Sequence, residues 1–279
     1  MQKELPLQQE HEQTIDAPLA RAHKLLSDFQ ESDRFLDAVA QADVDAQYRS
    51  SDDYLALLSA TTKDYAAELE SGSEISSSDL LALRVLGQAP HALRQQQLLT
   101  HHKALMSRES IRDAKTSLIE YNSTISHLLR AQPDTSLNDI SNQIVHSALE
   151  TVEMDPKEIS TYSMMALRGI RVENAFEDVL TSYGVPVRHG TTAEELHGID
   201  FVVNNTLHID VKASLDQVDN KNKGSNGSAY AVSHEGKITY FPYFQDSHFE
   251  NNSSQLVQSD LTSAISNYIM GDLMRMSQA

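Results

Sequence analysis

From about residue 16 to residue 153, apolar residues recur at three- and four-residue spacing and strand-like alternation is absent, so this half of the chain is predicted to be helical almost throughout. Ala20, His23, Leu25, Leu26 and Phe29 make a first stripe, and Phe35, Ala38, Val39 and Val44 a second. Ser51-Asp52-Asp53 is an N-cap cluster for a helix over 54–69, which Ser71-Gly72-Ser73 ends. Ser78 is expected to cap a helix that runs through Leu86 and stops at Gly87. After Pro90 the pattern predicts one helix to about 106 and another over 109–129, carried by Ile111, Ala114, Leu118, Tyr121, Ile125 and Leu128. Gln132-Pro133-Asp134 reads as a turn, 137–152 as a helix, and Asp155-Pro156 as a helix start with proline at the first helical position.

Near Val185 the pattern changes. Segments 185–188, 199–203, 207–213, 229–233 and 237–244 read as strands by β-branched and aromatic content, with Gly, Asn and Ser between them. Asn204-Asn205 is a tight hairpin signal, residues 216–228 a polar, glycine-bearing loop, and 254–276 a closing helix with Leu256, Leu261, Ile265, Tyr268, Ile269 and Leu273 on its apolar face. No fixed-period repeat or low-complexity tract is present. The expected fold class is α+β or α/β: an all-helical domain over 1–155, then a domain over 156–279 with a mixed sheet flanked by helices, its first helix spanning 160–183.

Composition adds limits. With 279 residues the chain can bury a full core, and its lack of cysteine excludes disulfides, thiolate metal sites and cysteine nucleophiles. No apolar run approaches the length of a bilayer span and the first residues have no apolar core of a signal peptide, so a soluble, cytoplasmic protein without a membrane partner is expected. The formal charge of −18 opposes nonspecific binding to a polyanion. Its distribution is uneven: residues 1–80 carry 6 Lys+Arg against 17 Asp+Glu, whereas residues 81–130 carry 7 against 3. Within that basic middle, Arg94, Lys103, Arg108, Arg112 and Lys115, with His101-His102, form either a polyanion-facing surface or a solvated one.

The chemistry concentrates in residues 169–214. On the strand over 207–213, Asp210 and Lys212 leave one face while Ile209, Val211 and Ala213 leave the other, and Asp200 sits on the preceding strand across the Asn204-Asn205 turn. Two carboxylates on neighbouring strands, a lysine beside the second and a glutamate from a packed helix make an oxygen-ligand site with one ammonium. That set suits Mg²⁺ and phosphodiester hydrolysis, with Lys212 either orienting the attacking water or meeting developing charge. Glu177, one turn after Glu173, shares its face as the alternative acid. His208 has the parity of Asp210 and Lys212 and so either lines the cleft or, as is expected, is an exposed strand histidine; His189, His197, Ser214 and Gln217 lie close by. The run 221–227 is either a phosphate-contacting loop or a solvated linker, and Tyr240, Phe241, Tyr243 and Phe244 read as core packing.

These motifs resemble the PD-(D/E)XK nuclease superfamily, which includes type II restriction enzymes, archaeal Holliday-junction resolvases and many repair nucleases. Gly169-Ile-Arg-Val-Glu173 matches its glycine-then-glutamate helix, Gly198-Ile199-Asp200 the strand bearing the first aspartate, and Asp210-Val211-Lys212 the acid-x-Lys triplet; Ile199 stands where the pattern has proline. The resemblance implies a restriction-endonuclease-like core over 156–279. It also implies that Asp200, Asp210 and Glu173 hold Mg²⁺, with Mn²⁺ able to substitute, and that Lys212 is the catalytic lysine. The expected activity is endonucleolytic hydrolysis of double-stranded DNA by a homodimer of the restriction–modification type, with the helical half serving dimerisation or clasping the duplex. A structure-selective nuclease of recombination, repair or mobile-element defence is the alternative among enzymes. A noncatalytic acidic interaction module is the alternative of another class.

Overall fold

Short polar side chains start the helices of this protein. The computed structural model describes residues 18–45, 48–72, 75–214, 216–218, 230–232, 238–257 and 260–276. Helices α1 (Pro18–Gln30), α2 (Asp33–Gln41), α3 (Asp52–Gly72), α4 (Ser77–Gln97), α5 (Arg108–Ala131), α6 (Leu137–Leu149) and α7 (Pro156–Ser182) follow one another. Ser32, Ser76, Ser107, Ser136 and Asp155 each accept a hydrogen bond from a backbone N–H of the first turn of α2, α4, α5, α6 and α7. The cap of α4 is therefore Ser76, two residues before the expected Ser78.

Helix α4 corrects a larger expectation, because it runs without a break through both Gly87 and Pro90. Gly87 is there for packing: a Cβ at this position would overlap the side chain of Thr62, which is fully buried on α3. Pro90 has no N–H to give to the carbonyl of Leu86, four residues back. The hydroxyl of Ser147 on α6 donates to that carbonyl instead, at 3.3 Å. Beyond α4 the chain widens into a π turn over Leu98–His102 and then a 3₁₀ turn over Lys103–Leu105. Helix α4 is the hub of the helical half and packs against α1, α3, α5, α6 and α7.

The second half contains β1 (Val187–His189), the short helix α8 (Thr192–Glu195), β2 (Phe201–Val203), β3 (Leu207–Ile209), β4 (Tyr230–Val232), β5 (Ile238–Tyr240) and the closing helix α9 (Asp260–Met276). The sheet order is β1-β2-β3-β5-β4, with β3 and β5 parallel and the other pairs antiparallel. Asn204 and Asn205 take φ of 49° and 61°, the left-handed region that asparagine tolerates, and the β2–β3 loop closes with the Thr206 N–H on the Val203 carbonyl at 3.1 Å. The fold is thus helical with a small mixed sheet, an α+β arrangement.

Two apolar cores meet inside α7. Ile159, Leu167 and Ile170 belong to the helical core, whereas Val172, Ala175, Phe176, Val179 and Leu180 pack with Phe201, Val203, Ile209, Val211, Tyr240, Ile269 and Leu273 under the sheet. The change of core falls between Ile170 and Val172, not at the chain turn near residue 155. Segment 254–257 is not helical as expected: Leu256 pairs with Phe249, and the Ser254 hydroxyl reaches the carbonyls of Leu129 and Pro133 at 3.1 Å, stitching the halves together. Of the expected loop over 216–228, residues 216–218 form a helical turn; the run 221–227 lies outside the described residues. Among the described residues no helix is long and apolar enough to cross a membrane.

Candidate active site

Backbone pairing places the strand-borne acids. Phe201 faces Ile209 in the β2–β3 ladder, so Asp200 and Asp210, one step further along, stand opposite each other and leave the same face of the sheet. That face is opposite to the one on which Phe201, Ile209, Val211 and Tyr240 enter the core. The Asp200 N–H donates to the Ile209 carbonyl at 2.8 Å, and the Val211 N–H donates to Asp200 Oδ2 at 2.7 Å. The carboxylate of Asp200 thereby replaces the backbone partner that β2 would have supplied, and regular pairing with β2 ends there. This is why the regular part of β3 stops at Ile209 although the strand pattern runs to 213.

On its other edge the chain stays paired. The Asp210 N–H donates to the Tyr240 carbonyl at 3.0 Å, the Lys212 N–H to the Pro242 carbonyl at 2.8 Å, and the Phe244 N–H to the Lys212 carbonyl at 3.0 Å. These bonds fix Asp210 and Lys212 against β5 and its extension. Asp210 is 5% exposed, and its carboxylate is in an ion pair with the Lys212 ammonium. His208 is also buried, at 8% exposure. The expectation of an exposed histidine fails because β3 is an interior strand between β2 and β5.

Helix α7 brings Glu173 to the same place. Burial pushes its carboxyl well above the usual carboxylate range, the negative charges of Asp200 and then Glu195 add to that, and the Lys212 ammonium opposes it. Glu173 thus senses Asp200, Glu195 and Lys212, side chains from three other segments. Glu177, the alternative acid, is engaged elsewhere: Arg130 lies 2.5 Å from its carboxylate and His189 3.3 Å. The sequence pattern does not single out the fourth acid, Glu195. Burial raises its carboxyl, His189 lowers it and Asp200 raises it again. The only sequence signal for its position was the capping box of α8, in which Thr191 and Glu194 bond each other's backbone N–H groups. Gly190 permits this approach, since a Cβ there would overlap the Ile199 carbonyl and press on the Glu195 side chain.

The remaining candidates separate. His189 is exposed and tilts against Phe201 with ring centroids 4.7 Å apart, and His197 Nδ1 bonds the Ala193 carbonyl at 2.6 Å. The side-chain oxygen of Gln217 accepts the Ala213 N–H at 2.9 Å, closing the turn after Lys212, while Ser214 is half-buried in that turn. Tyr240, Phe241 and Phe244 are buried and Tyr243 is half-buried, its ring 6.4 Å from that of Tyr268. In the basic middle, Arg94 is paired with Asp52 at 2.9 Å and His101 with Glu158 at 2.7 Å. Lys115 donates to the Leu196 carbonyl at 3.0 Å, one residue from Glu195, and Lys103, Arg108 and Arg112 are exposed.

Carboxylate oxygens are the donor type that a hard divalent cation takes. Burial first, and the charges of Asp200 and Glu195 after it, hold the Glu173 carboxyl in its neutral form, while Lys212 opposes them and pairs with Asp210. Among the described residues no three His, Asp or Glu groups are close enough to hold a metal by themselves. One or two carboxylates with waters suffice for magnesium. No family model, curated protein or solved structure matches this chain.

Proposed function

We propose that the protein is a Mg²⁺-dependent endonuclease that hydrolyses phosphodiester bonds in double-stranded DNA, with a core of the PD-(D/E)XK type. The observation that carries this reading is the convergence of Asp200, Asp210 and Lys212 on one sheet face with Glu173 of α7 beside them. Asp200 and Asp210 are the residues that would hold Mg²⁺, with waters completing its shell and Glu173 as the auxiliary acid that would act on it through such a water. When bound, the ion neutralises charge on the scissile phosphate and lowers the pKa of a bound water.

The chain's own groups supply the rest. Lys212, with its ammonium held beside Asp210, is placed to orient the attacking water and to meet charge that develops on the phosphate. Asp200 is fixed by its bond from the Val211 N–H, which commits one carboxylate oxygen to backbone. Burial of Asp210 strengthens its contact with the Lys212 ammonium. Cutting of both strands calls for two such centres, and a homodimer with two-fold symmetry is the economical arrangement.

The test is incubation of the purified protein with supercoiled plasmid and Mg²⁺, alongside Asp210→Ala and Lys212→Ala. Wild type is expected to linearise the plasmid and both variants to fail. Equal cutting by all three would overturn the assignment of these residues. Discrete fragments favour restriction-type specificity; cleavage confined to junctions or flaps favours the structure-selective alternative.

A further inference from the structure

The arginines of this acidic chain are nearly all neutralised. Arg21, Arg34, Arg84, Arg94, Arg130, Arg168, Arg171, Arg188 and Arg275 each pair with an Asp or Glu. Among the described residues, Arg49, Arg108 and Arg112 have no such partner, although 40 acids face 22 bases in the sequence, and of these three only Arg108 and Arg112 share a helix. Arg108 and Arg112 are both exposed and lie on one face of α5 with Lys115, at i, i+4 and i+7. Glu109 and Asp113 sit about a quarter-turn further round the helix.

The row has a direction. Lys115 at one end is tied to the Leu196 carbonyl, next to Glu195 in the acid cluster, and exposed Arg108 stands at the other, in the first turn of α5. From Lys115 to Arg108 is about 10.5 Å of helix, the axial rise of about three phosphates on one strand. The positive end of the α5 dipole lies at Arg108 and adds to the field there.

We propose that the Arg108–Arg112–Lys115 face of α5 is a phosphate-backbone track that holds duplex DNA against the acid cluster. The inference rests on the nuclease reading of that cluster. Arginines left unpaired amid surplus acid carry full positive charge to the surface, which a chain of net charge −18 requires to bring a polyanion to its centre. The track reads no bases, so its contribution is the same for every sequence.

Fluorescence anisotropy with a labelled duplex in calcium, titrated at several salt concentrations, tests the track apart from cleavage. Arg108→Ala/Arg112→Ala is expected to reduce the slope of log K against log salt by about 2 and to weaken binding at least about tenfold near 0.1 M salt. The control Arg34→Ala/Arg84→Ala removes equal charge from paired positions and is expected to leave the slope unchanged. Equal slopes and affinities for wild type and the Arg108/Arg112 variant would overturn the track, as would absence of binding by wild type. Plasmid cutting by wild type together with that result leaves the nuclease reading standing. Salt-sensitive binding through Arg108 and Arg112 without cutting removes the nuclease reading and keeps the track.

Discussion

At the scale of single residues, the acids of α7 differ by their neighbours. Glu173 and Glu177 are one turn apart on the same face, so periodicity leaves them equivalent. The structure sends Glu173 toward Asp200 and Lys212, and Glu177 toward Arg130 and His189. Glu173→Gln is therefore expected to lower plasmid cleavage by about 10- to 100-fold at fixed Mg²⁺. Glu177→Gln loses a partly exposed ion pair, costs under about 1 kcal/mol of stability and leaves the cleavage rate within a few-fold. A larger cleavage defect for Glu177→Gln than for Glu173→Gln would reverse the assignment. The strand acids were legible because side-chain alternation places Asp210 and Lys212 on one face by arithmetic. Glu195 was not, since a four-residue helix has no period to read and its approach depends on the space left at Gly190.

At the scale of elements, α4 shows why local breakers mislead. Glycine and proline are poor helix residues by propensity, yet α4 keeps both because its neighbours supply what they lack. Ser147→Ala leaves the buried Leu86 carbonyl without its replacement donor, and a loss of about 1–3 kcal/mol is expected from urea unfolding. Gly87→Ala drives a methyl into Thr62 and is expected to cost about 1–3 kcal/mol through overpacking. Adding Thr62→Ala should recover most of that loss; if the double variant is no more stable than Gly87→Ala, close approach of α3 and α4 is not the reason for the glycine. The hairpin was easier to read than α4, because Asn204-Asn205 carries its own backbone preference and needs no distant partner.

At the scale of the whole molecule, burial of histidines sets a pH response. His23, His91 and His248 are lowered from their ordinary value of 6.5, in each case chiefly by burial. The unfolded chain therefore binds more protons below that value than the folded one, so this stability is full above pH 6.5 and is lost as pH falls through the lower folded-state values. The raised Glu173 works with the opposite sign. A lower urea midpoint at pH 5.5 than at pH 7.5 is expected, with a smaller difference in His91→Gln; an unchanged difference in that variant would remove His91 as a contributor. The halves are joined by Ser126 to Asn174 at 2.6 Å, Arg130 to Asp178 at 2.7 Å, Lys115 to Leu196 and Ser254 to Leu129, all bonds between residues far apart in the chain. By itself the sequence determined the helical first half, the strands of the second, the parity of Asp210 and Lys212 and the asparagine turn, because each follows from repeats and preferences a few residues long. Only the tertiary structure decided that α4 passes through Gly87 and Pro90, that His208 is buried, that the cores meet within α7, and that Glu195 joins Glu173 and Asp200. Those outcomes depend on which surfaces meet across the fold, and packing between distant segments leaves no period in the chain.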